Sequence, residues 1–163
     1  MSVGITLEEL LAWNDQSAAS WKTHLETNPA LLELPCDIGG TANVQGFVRH
    51  IWGAELRWSQ RLAGLPLTDK EKLPAGPLEV LFDLHRQAVK IFRNVLAAPE
   101  HTWSEPFILD LAPPEERSVS RRKIAAHALF HSQRHWAQLA TLVRNAGCPT
   151  NFRGDLLFSP ALQ

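Results

Sequence analysis

The sequence predicts an all-α protein, a single four-helix bundle built from residues 1–163, and three observations predict it. Four long segments carry apolar residues at steps of three and four, the period of a helix with one buried face. Proline, glycine and asparagine punctuate the chain between those segments, and no segment makes a convincing sheet. The length, 163 residues, suits one domain.

The first helix is expected over about Leu7 to Thr27. Thr6 can cap it and Glu9 stands three residues on, the pattern of a capping box. Leu10, Trp13, Ser17, Ala18 and Trp21 form its stripe, and Asn28-Pro29 ends it. Leu34 to Gly40 reads as loop. The second helix is expected over about Ala42 to Ala63, with Phe47, Val48, Ile51, Trp52, Glu55 and Leu56 on one broad face and Gly64 as its stop. The link from Leu65 to Gly76 is long for a helical hairpin and would let the chain cross the bundle, as an up-down-down-up order needs. The third helix spans about Pro77 to Ala97, since proline suits a first turn. Between Thr102 and Val119 the period changes, and either a small β-hairpin or an irregular loop fits; Pro106 suits only an edge position. The fourth helix runs from about Ser120 to Asn145, capped by Ser118 or Ser120 and closed by Gly147 and Pro149. In the tail, Phe152, Leu156, Leu157 and Phe158 are available to dock on the bundle.

Composition narrows the function classes. Sixteen Lys and Arg against seventeen Asp and Glu give a net charge of −1, so no electrostatic argument favours a nucleic acid or an anionic membrane as partner. No run of apolar residues is long enough to span a bilayer. Cys36 and Cys148 have no ligand-type spacing and are expected as free thiols in a reducing compartment. The acidic, amphipathic start lacks the marks of a signal peptide, and a cytoplasmic protein is expected.

Seven histidines are distributed unevenly. His127, His131 and His135 follow one another at four-residue steps, each step advancing about 40° around a helix and rising about 6 Å. Neighbours in the series can aim at one ion, but the outer two cannot, so the helix offers either His127/His131 or His131/His135. A third donor must come from elsewhere. His50, beside the apolar stripe of the second helix, is the best candidate; His85 on the third is the reserve, and His24 and His101 read as surface. Taken singly, a histidine on a half-apolar face is usually a hydrogen-bonded boundary residue. Three imidazoles together suit Zn, Ni, Fe or Cu and leave a coordination position open. Bis-His haem ligation fits a converging trio less well.

The segment from His127 to Gly147, with His127, His131 and His135 ahead of an apolar run, resembles the last helix of DinB-like (YfiT-like) proteins. Val48 to Trp58, with His50 before Glu55, Arg57 and Trp58, is similar to the family's second helix. Order, spacing and helix lengths match over nearly the whole chain. The resemblance implies a four-helix bundle with a long link between helices two and three. It also implies His50, His131 and His135 as ligands of a divalent transition metal, zinc or nickel, with His127 lining the pocket one turn away. Where the family carries His-His-Arg-Gly-Gln, this chain reads Arg134-His135-Trp136-Ala137-Gln138, so Trp136 stands in the place of the motif's Arg.

The resemblance further implies a metal-dependent enzyme acting on a small molecule with a low-molecular-weight thiol, as an S-transferase or related enzyme. A non-catalytic metal-binding stress or damage-response protein is the alternative, and a homodimer is expected in either case. Arg121, with Arg117, Arg122 and Lys123, is the candidate contact for an anionic cofactor, although such a cluster is more often a solvated face. Glu55, one turn beyond His50, is a weak candidate for a general base or cofactor contact, and a place at the surface or behind the ligands fits it better.

Overall fold

The computed structural model describes residues 4–111 and 115–161, without the side chains of residues 100, 101, 110, 111 and 115–117. It is an all-α four-helix bundle with one small hairpin. Helix α1 (Leu7–Thr27) begins with the expected capping box: the Glu9 amide donates to Thr6 Oγ1 and the Thr6 amide to Glu9 Oε2. Helix α2 (Val44–Leu62) starts two residues later than expected, because the Asn43 side chain accepts from the Gly46 amide and so takes the cap position. Helices α3 (Leu78–Leu96) and α4 (Arg121–Asn145) follow the sequence expectation to within a residue, with Ser120 capping α4. Leu34 to Gly40, expected as loop, contains the turn Ile38–Gly40, where Gly39 and Gly40 take φ of 66° and 75°.

Residues 102–119 settle as a short helical turn and an antiparallel hairpin, β1 (Pro106–Leu111) and β2 (Glu115–Ser120). Pro106 occupies the first residue of its strand, where no ladder bond is lost. The connecting residues 112–114, including Pro113 and Pro114, lie outside the described residues.

The long link carries the chain back along α2 to the other end of the bundle, the crossing that an up-down-down-up order needs. Gln60 pairs with Thr68, the Arg57 guanidinium with the Thr68 carbonyl, and Arg49 donates to the carbonyls of Lys70, Leu73 and Pro74. Gln45, in the first turn of α2, reaches the Gly76 carbonyl at 2.8 Å. Leu73 packs so close to the helix that a Cβ on Gly53 would lie 2.5 Å from its Cδ1. The chain therefore enters α3 beside the start of α2, and the two helices run parallel. Trp21 meets Trp136 as Asn14 nears Gln133, whereas His50 meets His135 as Trp58 meets His127. So α1 and α4 are parallel to each other and antiparallel to the other two, the up-down-down-up order.

The centre of the bundle is apolar except at one level. Phe47, Val48, Ile51 and Trp52 on α2, Leu81 on α3 and Leu139 on α4 have no exposure. Among them Glu55 and His85 are also buried. Glu55 accepts from Asn14 at 2.8 Å and from His85 Nδ1 at 2.6 Å, and His85 Nε2 lies 3.0 Å from Asp15 Oδ1. Arg93 closes the outer end by donating to Asp15 at 3.1 Å. Both nitrogens of His85 face carboxylates, so both are donors and the ring is an imidazolium. Burial opposes that charge, but Glu55 and Asp15 outweigh it and raise the His85 pKa to about 9. On the α4 side, the Gln133 carboxamide donates to Asn14 at 3.3 Å and to Ser17 at 3.1 Å.

Two expectations are corrected at the periphery. His24, read as surface, is buried because the tail lays Phe152 over the last turn of α1, 6.1 Å from its ring. Of the tail residues, Phe152 packs against the core, while Leu157 and Phe158 stay exposed. No helix of the described residues is long and apolar enough to cross a membrane.

Removing one member of the buried pair leaves the other charged and unpaired. His85→Leu should therefore lower the urea-unfolding free energy at neutral pH by about 3–5 kcal/mol, while His85→Leu combined with Glu55→Met should recover most of that loss. The His85 pKa is raised on folding, so its contribution is complete below 6.5 and is lost as pH rises through about 9. The wild-type melting temperature should fall across that interval, and the double variant should not show the same fall.

Candidate metal centre

Helix α4 turns His131 and His135 toward α2, and α2 returns His50 toward them. The Nε2 atoms of His131 and His135 are 3.1 Å apart. The His50 ring centroid lies 5.1 Å from that of His135 and 5.7 Å from that of His131. One ring nitrogen from each of the three lies within 4.8 Å of the others, the only such group of His, Cys, Asp or Glu among the described residues. Of the two pairs the sequence left open, the structure thus brings His131 and His135 to His50. His127 stands one turn out, exposed, with its ring 5.2 Å from Trp58 and 6.0 Å from His131.

The donors fit an ion on two counts. Two nitrogens on one tetrahedral zinc, each at its usual bond length, would be about 3.3 Å apart, close to the spacing of the α4 pair. Second, His135 Nδ1 lies 2.6 Å from Gln138 Oε1. A carboxamide oxygen can only accept, so the His135 proton sits on Nδ1 and the lone pair on Nε2 faces the other rings. Gln138 was not singled out from the sequence as a functional side chain; its signal was its place three residues after His135, on the same helical face.

All three imidazoles are held neutral. Burial lowers the pKa of His50, with His135, Lys70 and Arg134 adding to the effect. Burial again dominates at His131, where the neighbouring His135, His50 and Arg134 help bring the pKa to about 3. At His135 burial prevails over the Gln138 hydrogen bond, and the pKa is again lowered. Neutral rings with free lone pairs are what a transition metal requires. Around them, Phe47 packs its ring 5.1 Å from His135 and 6.3 Å from His50. The turn at Gly39 comes so near that a Cβ there would be 3.6 Å from His50 Nε2.

The other candidates go elsewhere. Glu55 is no general base or cofactor contact at this site: both its oxygens are engaged by Asn14 and His85, because its position on α2 turns it toward α1 and α3. His85, the reserve ligand, is used in the same network. Arg121 lays its guanidinium over the Phe107 ring at 5.8 Å, against the hairpin. Arg122 and Lys123 are exposed, while the side chains of Arg117 and His101 lie outside the described residues.

A family model described as the DinB family matches residues 1–153. No match to a curated protein accompanies it.

Gln138→Leu should weaken zinc affinity by about 10–100-fold in competition with a chromophoric chelator, the usual effect of removing a ligand's hydrogen-bond partner. Gln138→Glu should retain it. Because the three pKa values are lowered from 6.5, the ordinary value for histidine, protons should compete for the site less than they would for ordinary imidazoles. Affinity measured down a pH series should decline at a lower pH than that of a zinc complex of exposed histidines.

Proposed function

The chain belongs to the DinB family, and from that premise we propose that His50, His131 and His135 hold a divalent transition metal, zinc or nickel, for a thiol-dependent S-transferase or related activity. The observation that carries this reading is the convergence of three imidazole nitrogens from two helices within 4.8 Å. When bound, such an ion would favour the thiolate form of a low-molecular-weight thiol and so raise its reactivity toward an electrophilic carbon. The remaining duties fall to the chain itself. Gln138 fixes the tautomer of His135, Phe47 excludes water from the inner side of the rings, and His127 with Trp58 offers a wall one turn outward for a small-molecule substrate. The same reading takes a homodimer in the cytoplasm as its setting.

A second reading has its own observation. Trp136, at the place of the family's motif Arg, is buried and stacked on Trp21, so the motif's cation is missing at that position, and the cation at the rings is instead Arg134, 3.5 Å from His135 Nε2. That favours a metal-binding protein of stress or damage response without catalysis.

The experiment is metal analysis of the purified protein, followed by turnover of chlorodinitrobenzene or monobromobimane with a panel of low-molecular-weight thiols. Turnover that depends on the metal and disappears in His131→Ala is the expected result. Stoichiometric metal without turnover across the panel would favour the second reading, and failure to bind zinc or nickel would remove both.

A further inference from the structure

The far side of α4 bounds a second cavity. Its residues Gln133, Trp136, Ala140 and Arg144 lie about half a turn around the helix from His131 and His135. The cavity, about 560 Å³, opens between α1, α4 and residues 150–155. That volume is within the range of small-molecule sites. Its walls are unusually aromatic. Trp21 and Trp136 stack with centroids 5.5 Å apart and planes inclined by 17°, and Phe152 meets Trp21 edge-on at 5.4 Å. Trp13 forms the facing wall, its indole N–H donating to the Gly154 carbonyl at 3.0 Å, so the tail holds the ring in place. Arg144, from the last turn of α4, and Arg153, from the tail, are exposed at the rim, with Asp155 beside them. Arg153 also lies over the Phe158 ring at 4.5 Å. Arg144 makes no ion pair among the described residues.

We propose that this cavity binds a small planar aromatic carboxylate, its ring between Trp13 and Phe152 above the buried Trp21–Trp136 stack and its carboxylate toward Arg144 and Arg153. Half-buried Trp13 and Phe152 give a flat apolar body ring surface to pack on, while Trp21 and Trp136, stacked on each other and almost fully buried, form the floor beneath it. Two guanidinium groups against one carboxylate at the rim favour an anion and repel a cation, and an arginine can take a carboxylate in paired hydrogen bonds. The site does not rest on the metal reading, since none of its lining residues is among the three imidazoles.

The six tryptophans provide the test, because each gives its own indole N–H signal in a proton–nitrogen NMR spectrum. Naphthoate, titrated into the full chain, is expected to shift the signals of Trp13, Trp21 and Trp136 saturably while leaving Trp58 and Trp103 in place. Arg144→Gln with Arg153→Gln, both at exposed positions, should weaken binding about tenfold or more, the loss expected for a charge-assisted contact. Naphthamide, the uncharged analogue, should be weaker to a similar degree, and His131→Ala should bind naphthoate as the wild type does. The proposal fails if the three signals do not move saturably, if naphthamide binds equally well, if the double variant binds unchanged, or if His131→Ala abolishes binding.

Discussion

Glu55 and His85 meet 2.6 Å apart where neither reaches water, and the placement of the helices depends on that contact. A buried carboxylate is tolerated only when its lone pairs are met by donors and its charge by an opposite charge. Here the donors come from two other helices, Asn14 on α1 and His85 on α3, and Asp15 on α1 takes the second nitrogen of His85. The register of α1, α2 and α3 is thereby specified at one level of the bundle. The orientation of α2 follows as well. His50 precedes Glu55 by five residues, which is about 140° around the helix and about 7.5 Å along it. With Glu55 held toward α1 and α3, His50 is aimed at α4.

The bundle thus contains histidines in two opposite charge states, each explained by its neighbours. His85 is as buried as any residue in the protein, yet two carboxylates keep it protonated. His50, His131 and His135 are less buried, yet the charges that act on them are cationic, and they stay neutral. Burial pushes in the same direction in both places; the difference is the presence or absence of an acid within hydrogen-bonding distance. One arrangement serves packing and the other leaves lone pairs for a Lewis acid.

Much of this was legible in the sequence. Helix limits followed from residues that do local work: Thr6 with Glu9 at one start and Ser120 at another. The spacing of His127, His131 and His135 restricted the α4 donors to two pairs. It could not choose between them, because that depends on how α2 and α4 slide along each other, a tertiary quantity with no local trace. The resemblance to the family supplied the choice. Glu55, one turn beyond His50, reads as a weak general base, but sequence distance does not say which way the side chain turns. Its position within the apolar face of α2, matched by His85 within that of α3, marked two opposite charges bound for the core. His24 and the tail aromatics could not be sorted in advance. Which of Phe152, Leu157 and Phe158 reaches the bundle depends on how an irregular segment folds back, and periodicity says nothing about that.

Gln133 extends the buried network onto α4, at the midpoint between His131 and His135, through its bonds to Asn14 and Ser17. A helix tethered on one flank cannot roll about its axis without breaking those bonds. The two imidazoles on the opposite flank therefore project from a stiff support, and their separation is set by the scaffold rather than by whatever arrives between them. A rigid pair of donors discriminates among ions by bond length and angle. Selectivity would then originate in the polar seam that immobilises the helix as much as in the rings themselves.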